Sequence, residues 1–159
     1  MSAGTEDPVS MRTQWDRRFF EAAVAEAEQG FSEGGIPIGS ALHVGDVLLG
    51  SGRNRRVQDG DPVAHAEISC LHNVGRRAAY RDTVLYTTLA PCAMCSGAVI
   101  LFKIPTLVIG ESRTFPGELG LLESRGVEVV LLEDQRCYDL MQRFIEQNPE
   151  IWDEDIAEG

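Results

Sequence analysis

At 159 residues the chain suits one domain with one core, and its 43% apolar and 25% charged residues are ordinary proportions for a globular protein. A net charge of −11 weighs against nucleic-acid contact, which calls for clustered Lys and Arg. No apolar run approaches the ~18 residues of a membrane span, no apolar stretch follows a basic start as in a secretory signal, and four Cys do not make a disulfide framework. A cytoplasmic protein with neither nucleic acid nor membrane as partner is expected.

Residues 1–10 are small and polar and are expected to fray, leaving 11–159 as the single domain. Trp15, Phe19, Ala22, Ala23 and Ala27 recur at helical spacing, which predicts an amphipathic helix up to Gly30 with its aromatic stripe in the core. Gly34, Gly35 and Pro37 break it. A strand is expected over Ile36 to Val44, a turn at Gly45-Asp46 and an antiparallel partner over Val47 to Gly50. Gly52 to Asp61 reads as a loop. It carries Asn54, which is either a turn residue or an amide facing a substrate ring, and the compact basic group Arg53, Arg55 and Arg56, which reads as solvated. Arg76 and Arg77 are read the same way.

Downstream, a helix is expected from about His65 to Gly75. Thr83 to Leu89 is β-branched and aromatic, the best central strand in the chain. It runs through Ala90-Pro91 into a helix from Cys92 to about Lys103. Thr106 to Gly110 is the next strand, Glu111 to Gly117 a loop with Phe115, Glu118 to Ser124 a short helix, and Val127 to Leu132 the last strand. Asp134 is the expected N-cap of a helix carrying Tyr138, Met141, Phe144 and Ile145, which Pro149 ends. In the acidic ending, Trp152 and Ile156 are four apart, which suggests a short helical turn docked by an apolar face. Strands alternating with helices after a hairpin mean an α/β layered fold with a mixed sheet. Open sheets of this kind place their sites at one end of the strands.

Two stretches carry chemistry: His65-Ala66-Glu67 and Pro91-Cys92-Ala93-Met94-Cys95. An H-x-E triplet alone is weak. A lone C-x-x-C could be a redox pair, half a structural zinc site or two buried thiols. The combination H-x-E…P-C-x-x-C is the signature of the zinc deaminases. His65, Cys92 and Cys95 supply three ligands to Zn2+ and leave the fourth position open, as a catalytic site requires. Cys70, His72 and Cys137 lack ligand spacing and read as bystanders. The metal would acidify a water toward neutral pH, and Glu67 would take and pass on its proton as the catalytic acid–base. Cys92 and Cys95, three apart, share one helical face whose N-terminal dipole favours thiolates. His65 and Glu67, two apart, would diverge on a regular helix and so must lie at a helix entrance.

Beyond these motifs, the chain from Trp15 onward resembles the fungal-type cytosine deaminases of the cytidine-deaminase-like superfamily. The resemblance runs through Glu33-Gly34-Gly35-Ile36-Pro37-Ile38-Gly39, His65-Ala66-Glu67-Ile68-Ser69, Leu85-Tyr86-Thr87-Thr88-Leu89, Pro91-Cys92-Ala93-Met94-Cys95, Val108-Ile109-Gly110-Glu111 and the ending Trp152-Asp153-Glu154-Asp155-Ile156. It implies a three-layer α/β/α fold with a central mixed five-stranded sheet, one zinc per chain and a homodimer. It also implies that Asn54 bonds the pyrimidine edge, the Ala66 backbone meets the ring carbonyl and Asp155 receives the exocyclic amine. Phe115 and Trp152 would pack on the ring, Ile36 and Leu89 would line the pocket, and the C-terminal segment would act as its lid. Ala66 stands where the fungal pattern has glycine, Ala90 where it has serine and Val57 where it has phenylalanine, which leaves the identity of the ring open. The expected activity is hydrolytic deamination of a free nucleobase, cytosine to uracil and ammonia. The rivals are a related ring (isocytosine, creatinine or a guanine-like base), a tRNA adenosine deaminase, and a zinc scaffold without catalysis. The acidic charge argues against the tRNA enzyme, and the presence of Glu67 against the scaffold.

Overall fold

The computed structural model describes residues 13–158. The tail expected at 1–10 lies outside the described residues. Helix α1 (Arg17–Ser32) is capped by the Asp16 carboxylate, which accepts the Arg18 N–H at 2.8 Å, and buries Phe19, Phe20, Ala23, Val24 and Ala27. The expected hairpin follows as β1 (Gly39–Val44) and β2 (Val47–Arg53). Its first strand starts later than expected, at Gly39 instead of Ile36. The Ile38 N–H donates to the Ile36 carbonyl at 2.8 Å, a tight turn that the intervening Pro37 accommodates. Gly39 is required by packing: a Cβ there would collide with the Ala23 carbonyl of α1.

The segment expected as a plain loop contains one helical turn, α2 (Arg56–Asp59). The remaining elements agree in kind with the sequence reading: α3 (Ala66–Val74), β3 (Val84–Leu89), α4 (Ala93–Leu101), β4 (Thr106–Glu111), α5 (Leu119–Ser124), β5 (Glu128–Leu131) and α6 (Gln135–Gln147). Asp134 caps α6 as expected, accepting from the N–H groups of Arg136 and Cys137. After Asn148 the chain re-enters helix at α7 (Pro149–Asp155), with proline in the first turn, where its missing N–H costs no bond.

The five strands form one mixed sheet in the order β2-β1-β3-β4-β5. β1 is antiparallel to both neighbours, and β3, β4 and β5 are parallel. Side chains alternate across it. Leu42, Leu85, Leu107 and Ile109 face Cys70 of α3, Val99 of α4 and Leu122 of α5. Ala41, Val84, Tyr86 and Val108 face Phe19, Phe20 and Ala23 of α1 and Cys137 of α6. This is the expected three-layer arrangement, and β3 and β4 are buried at every residue because both faces are covered. A third cluster closes one end of the sheet, with Ile36, Ile38, Ala66, Leu89, Met141, Phe144 and Trp152 buried together. At that end Gly39, where β1 begins, pairs with Arg53, where β2 finishes, and Leu89 of β3 pairs with Glu111 of β4. Four strand ends therefore open onto one spot.

Candidate active site

The two motifs meet at this end. His65 is the N-cap of α3 and Cys92 the N-cap of α4, both in extended backbone with ψ of 160° and 176°. That conformation takes the His65 side chain off the helical phase, so it and Glu67 point to the same place in spite of their spacing. Among the described residues, His65, Cys92 and Cys95 bring one donor atom each within 4.8 Å of one another, and Cys92 Sγ lies 3.5 Å from His65 Nδ1. Bonds of about 2.0–2.3 Å to a tetrahedral zinc put ligands roughly 3.5 Å apart, so small movements would close this set around the ion. Its chemistry fits as well. The Cys92 thiol is pulled down to about 4 by the hydrogen bond from Cys95 and by His65, while the Cys92 thiolate and burial push Cys95 up. A cation between them would remove that conflict by holding both as thiolates. The other ring nitrogen, His65 Nε2, faces Asp155 Oδ1 at 3.4 Å, which leaves Nδ1 with its lone pair toward the thiols.

Glu67, in the first turn of α3, is only 4% exposed. Burial pushes its carboxyl above the usual range, against the opposing pull of Cys95 and His65. Thr87 of β3 lies on the same sheet face as Leu85 and donates its hydroxyl to Glu67 Oε1 at 3.0 Å. A buried carboxyl with a raised pKa can hold a proton between transfers, which an exposed one at neutral pH does not.

Asn54 is a turn residue that also lines the pocket. Its Oδ1 accepts the Arg56 N–H at 3.0 Å, an Asx-type turn that starts α2, and this bond fixes which end of the amide is which. The NH2 end then faces the pocket, 3.4 Å from Asp155 Oδ1. The pocket beside the three donors has a volume of about 210 Å³. Asn54, Ala66, Glu67 and Leu89 line it from the sheet end, Phe115 from the loop after β4, and Trp152 and Asp155 from α7. Phe115 and Trp152 meet edge to face, with ring centroids 6.4 Å apart.

Ile36 departs from its expected position. It is fully buried one layer back among Ala66, Leu89 and Trp152, and Ile38 stands at the wall in its place, because the Ile36–Ile38 turn rotates the chain before β1 begins. Sequence reasoning missed Ile38, Met94, Ile156 and Ala157 in the lining, and Thr87 behind Glu67. Thr87 was legible in principle, since it alternates in phase with the inward Leu85.

The basic group is not a solvated surface. Arg53 pairs with Glu33 at 2.9 Å and Glu26 at 3.2 Å, Arg55 with Asp59 at 2.9 Å, and Arg56 reaches Asp155 at 3.5 Å. The Arg53 guanidinium, with Gln58 and Gln29, holds Glu33 down to about 2. Cys70 and Cys137 are buried away from the donor cluster, one under each face of the sheet, and His72 is exposed on α3.

Residues 13–111 match the cytidine and deoxycytidylate deaminase zinc-binding region. The chain is 45% identical over 146 residues to a cytosine deaminase of Candida albicans, an alignment covering 90% of this chain and 97% of the relative. It is 36% identical over 119 residues to a tRNA-specific adenosine deaminase of Haemophilus influenzae, covering 72% and 68%. In fold it superposes on a guanine deaminase from Nitrosomonas europaea with a TM-score of 0.68 at 23% identity, covering 84% of this chain and 86% of the other.

Proposed function

Because the chain belongs to the zinc-binding cytidine and deoxycytidylate deaminase family and is a zinc-dependent aminohydrolase, we propose that it converts cytosine, as the free base, to uracil and ammonia. The observation that carries the choice of a free base is the roof of the pocket. Trp152, Asp155, Ile156 and Ala157 of the C-terminal segment stand over a space of about 210 Å³ beside the metal donors, so that a ring substituent as large as a ribose would have to pass this segment. The high identity to the Candida enzyme, extending through nearly its whole length, supports the same reading.

His65, Cys92 and Cys95 hold the zinc, which when bound supplies an acidified water and a Lewis acid at neutral pH. Glu67 takes a proton from the attacking water and delivers it to the ring nitrogen next to the amine-bearing carbon. After the oxygen has added to that carbon, Glu67 carries the second proton to the amine, which leaves as ammonia while the carbonyl forms. Thr87 keeps the Glu67 carboxylate aimed between these transfers. The Asn54 amide and the Ala66 N–H, free at the first turn of α3, bind the ring edge. Asp155 accepts from the exocyclic amine, and Phe115 and Trp152, in contact edge to face, form one wall against the ring and exclude water.

The exposed side of α4 supports a homodimer. Met94, Gly97 and Leu101 lie on successive turns and face solvent, Leu101 at 71% exposure, on a helix with no charged residue. A helix apolar all round is a buried helix, and a second copy would complete its burial. Cys70 and Cys137 as unpaired thiols, beside two Cys given to the metal, suit a reducing cytoplasm, where the reaction would serve pyrimidine salvage.

An ammonia-release screen over cytosine, cytidine, isocytosine, creatinine and guanine, run with a zinc assay, tests the function. Cytosine should be the best substrate, with one zinc per chain. Preference for cytidine or a purine would overturn the substrate, and full activity without metal would overturn the mechanism. Sedimentation of Leu101→Glu beside the wild type tests the dimer, which the charged residue should dissociate.

A further inference from the structure

We propose that Arg56 is a positioning residue that latches the C-terminal helix α7 closed over the pocket. The inference rests on the proposed reading of that pocket as the substrate site. Arg56 opens α2, and its backbone N–H already donates to Asn54 Oδ1. Its side chain, only 14% exposed, runs to the other wall of the cleft. Nε donates to the Pro62 carbonyl at 3.2 Å and lies 3.5 Å from Asp155 Oδ1, and Nη2 lies 3.9 Å from Glu154 Oε1. One guanidinium thus joins the segment that leads into His65 to two consecutive residues of α7.

The rest of the attachment of α7 explains why such a bridge matters. The helix has seven residues, too few to be stable by itself, and its one buried apolar side chain is Trp152, with the Asp155 carboxylate 5% exposed beside it. At its C-terminal end, polar contacts to the body of the protein converge on a single oxygen, Asp155 Oδ1, at 3.4 Å from Asn54 Nδ2, 3.4 Å from His65 Nε2 and 3.5 Å from Arg56 Nε. All three are at the long limit of hydrogen-bond geometry, so each is weak and the set can part together. Asn54 and His65 are committed to the ring and the metal. Arg56 is the contact that touches neither ring nor metal, and its planar fork spans two acceptors as a lysine cannot. Closure of α7 around a bound base therefore gains from Arg56 without Arg56 touching the base. Its removal weakens retention of substrate while the proton-transfer groups stay in place.

The experiment compares zinc-loaded wild type, Arg56→Gln and Arg56→Lys in steady-state kinetics on cytosine and in hydrogen exchange of the α7 amides. Arg56→Gln should raise KM roughly threefold to fivefold, as expected for loss of a long ion pair in a partly buried setting, and change kcat by less than about twofold. Zinc content should be unchanged, and the Trp152 and Ile156 amides should exchange faster without ligand. Arg56→Lys should fall between the two. Glu154→Gln, which removes only the exposed outer end of the bridge and puts folding at no risk, should shift KM and exchange in the same direction by less. Wild-type KM and exchange in both Arg56→Gln and Glu154→Gln would overturn the latch, as would loss of kcat with KM and exchange unmoved. If Arg56→Gln does not fold, Glu154→Gln decides alone. A wild type that deaminates no free base would overturn the proposed function instead, and the exchange comparison would still decide whether Arg56 holds α7.

Discussion

At the scale of single residues, the site separates groups that would move protons from groups that would hold the ring. Glu67→Gln keeps the shape and the Thr87 contact but cannot take a proton. Zinc content and melting temperature should stay near wild type while turnover of cytosine falls by about 10²–10⁴-fold. Near-wild-type turnover in that variant would remove Glu67 from the mechanism. Asn54→Ala has two consequences because the amide does two things. It removes the cap on the Arg56 N–H, costing about 1 kcal/mol of stability, and it takes away the donor aimed into the pocket. A site built to hydrogen-bond a ring rejects poorly matched partners strongly, so kcat/KM should fall far more than stability. A large drop in melting temperature with unchanged kinetics would mean that Asn54 acts only in the turn.

Among the elements, α7 matters most, because it is both roof and core. Trp152 is 6% exposed and shares a cluster with Ile36, Leu89, Met141 and Phe144. Trp152→Ala should therefore cost about 3–5 kcal/mol of stability as well as activity, the usual range for emptying a buried aromatic site. The two effects separate in a comparison of substrates. Cytosine turnover should fall severely, and the preference for cytosine over cytidine should narrow as the roof opens. The same comparison on a chain ending at Asn148 should show the narrowing more strongly, with zinc still bound. An unchanged cytosine rate in the shortened chain would show that α7 is not a lid.

Across the whole molecule, the two helices on one face of the sheet are joined by charge at the surface. Arg136 of α6 meets Glu21 of α1 at 2.7 Å and its own cap Asp134 at 2.9 Å. The Arg136 bond holds the Glu21 carboxyl below its usual range. Asp134 is held down by Arg136 and the Cys137 N–H, although partial burial works the other way. Carboxylates with folded pKa values below their unfolded ones stabilise the protein above the unfolded pKa and lose that contribution as the pH falls through the folded one. The melting temperature of wild type should therefore exceed that of Arg136→Gln at pH 7. The gap should shrink as the pH drops below about 4 and also at high salt, because the pair is exposed. A gap that is independent of pH would assign the effect to packing of the arginine stem.

The sequence by itself determined the element types, the mixed α/β layering and the identity of the metal site, because each of these is written in local spacing. Thr83 to Leu89 is β-branched and aromatic enough to be a central strand, and His65, Cys92 and Cys95 sit at helix entrances that proline and the helical repeat mark out. The family resemblance added Phe115, Trp152 and Asp155, and these three line the pocket beside the metal donors. Tertiary structure decided what spacing cannot encode. Ile36 is displaced from the pocket by a turn only three residues long, Thr87 meets Glu67 across twenty positions of sequence, and Arg56 reaches α7 from the far side of the cleft. An arginine in a Gly- and Asp-rich loop looks the same in sequence whether it is solvated or paired. The outcome depends on which acid the fold carries to it, and here α7 brings Glu154 and Asp155 back from the other end of the chain.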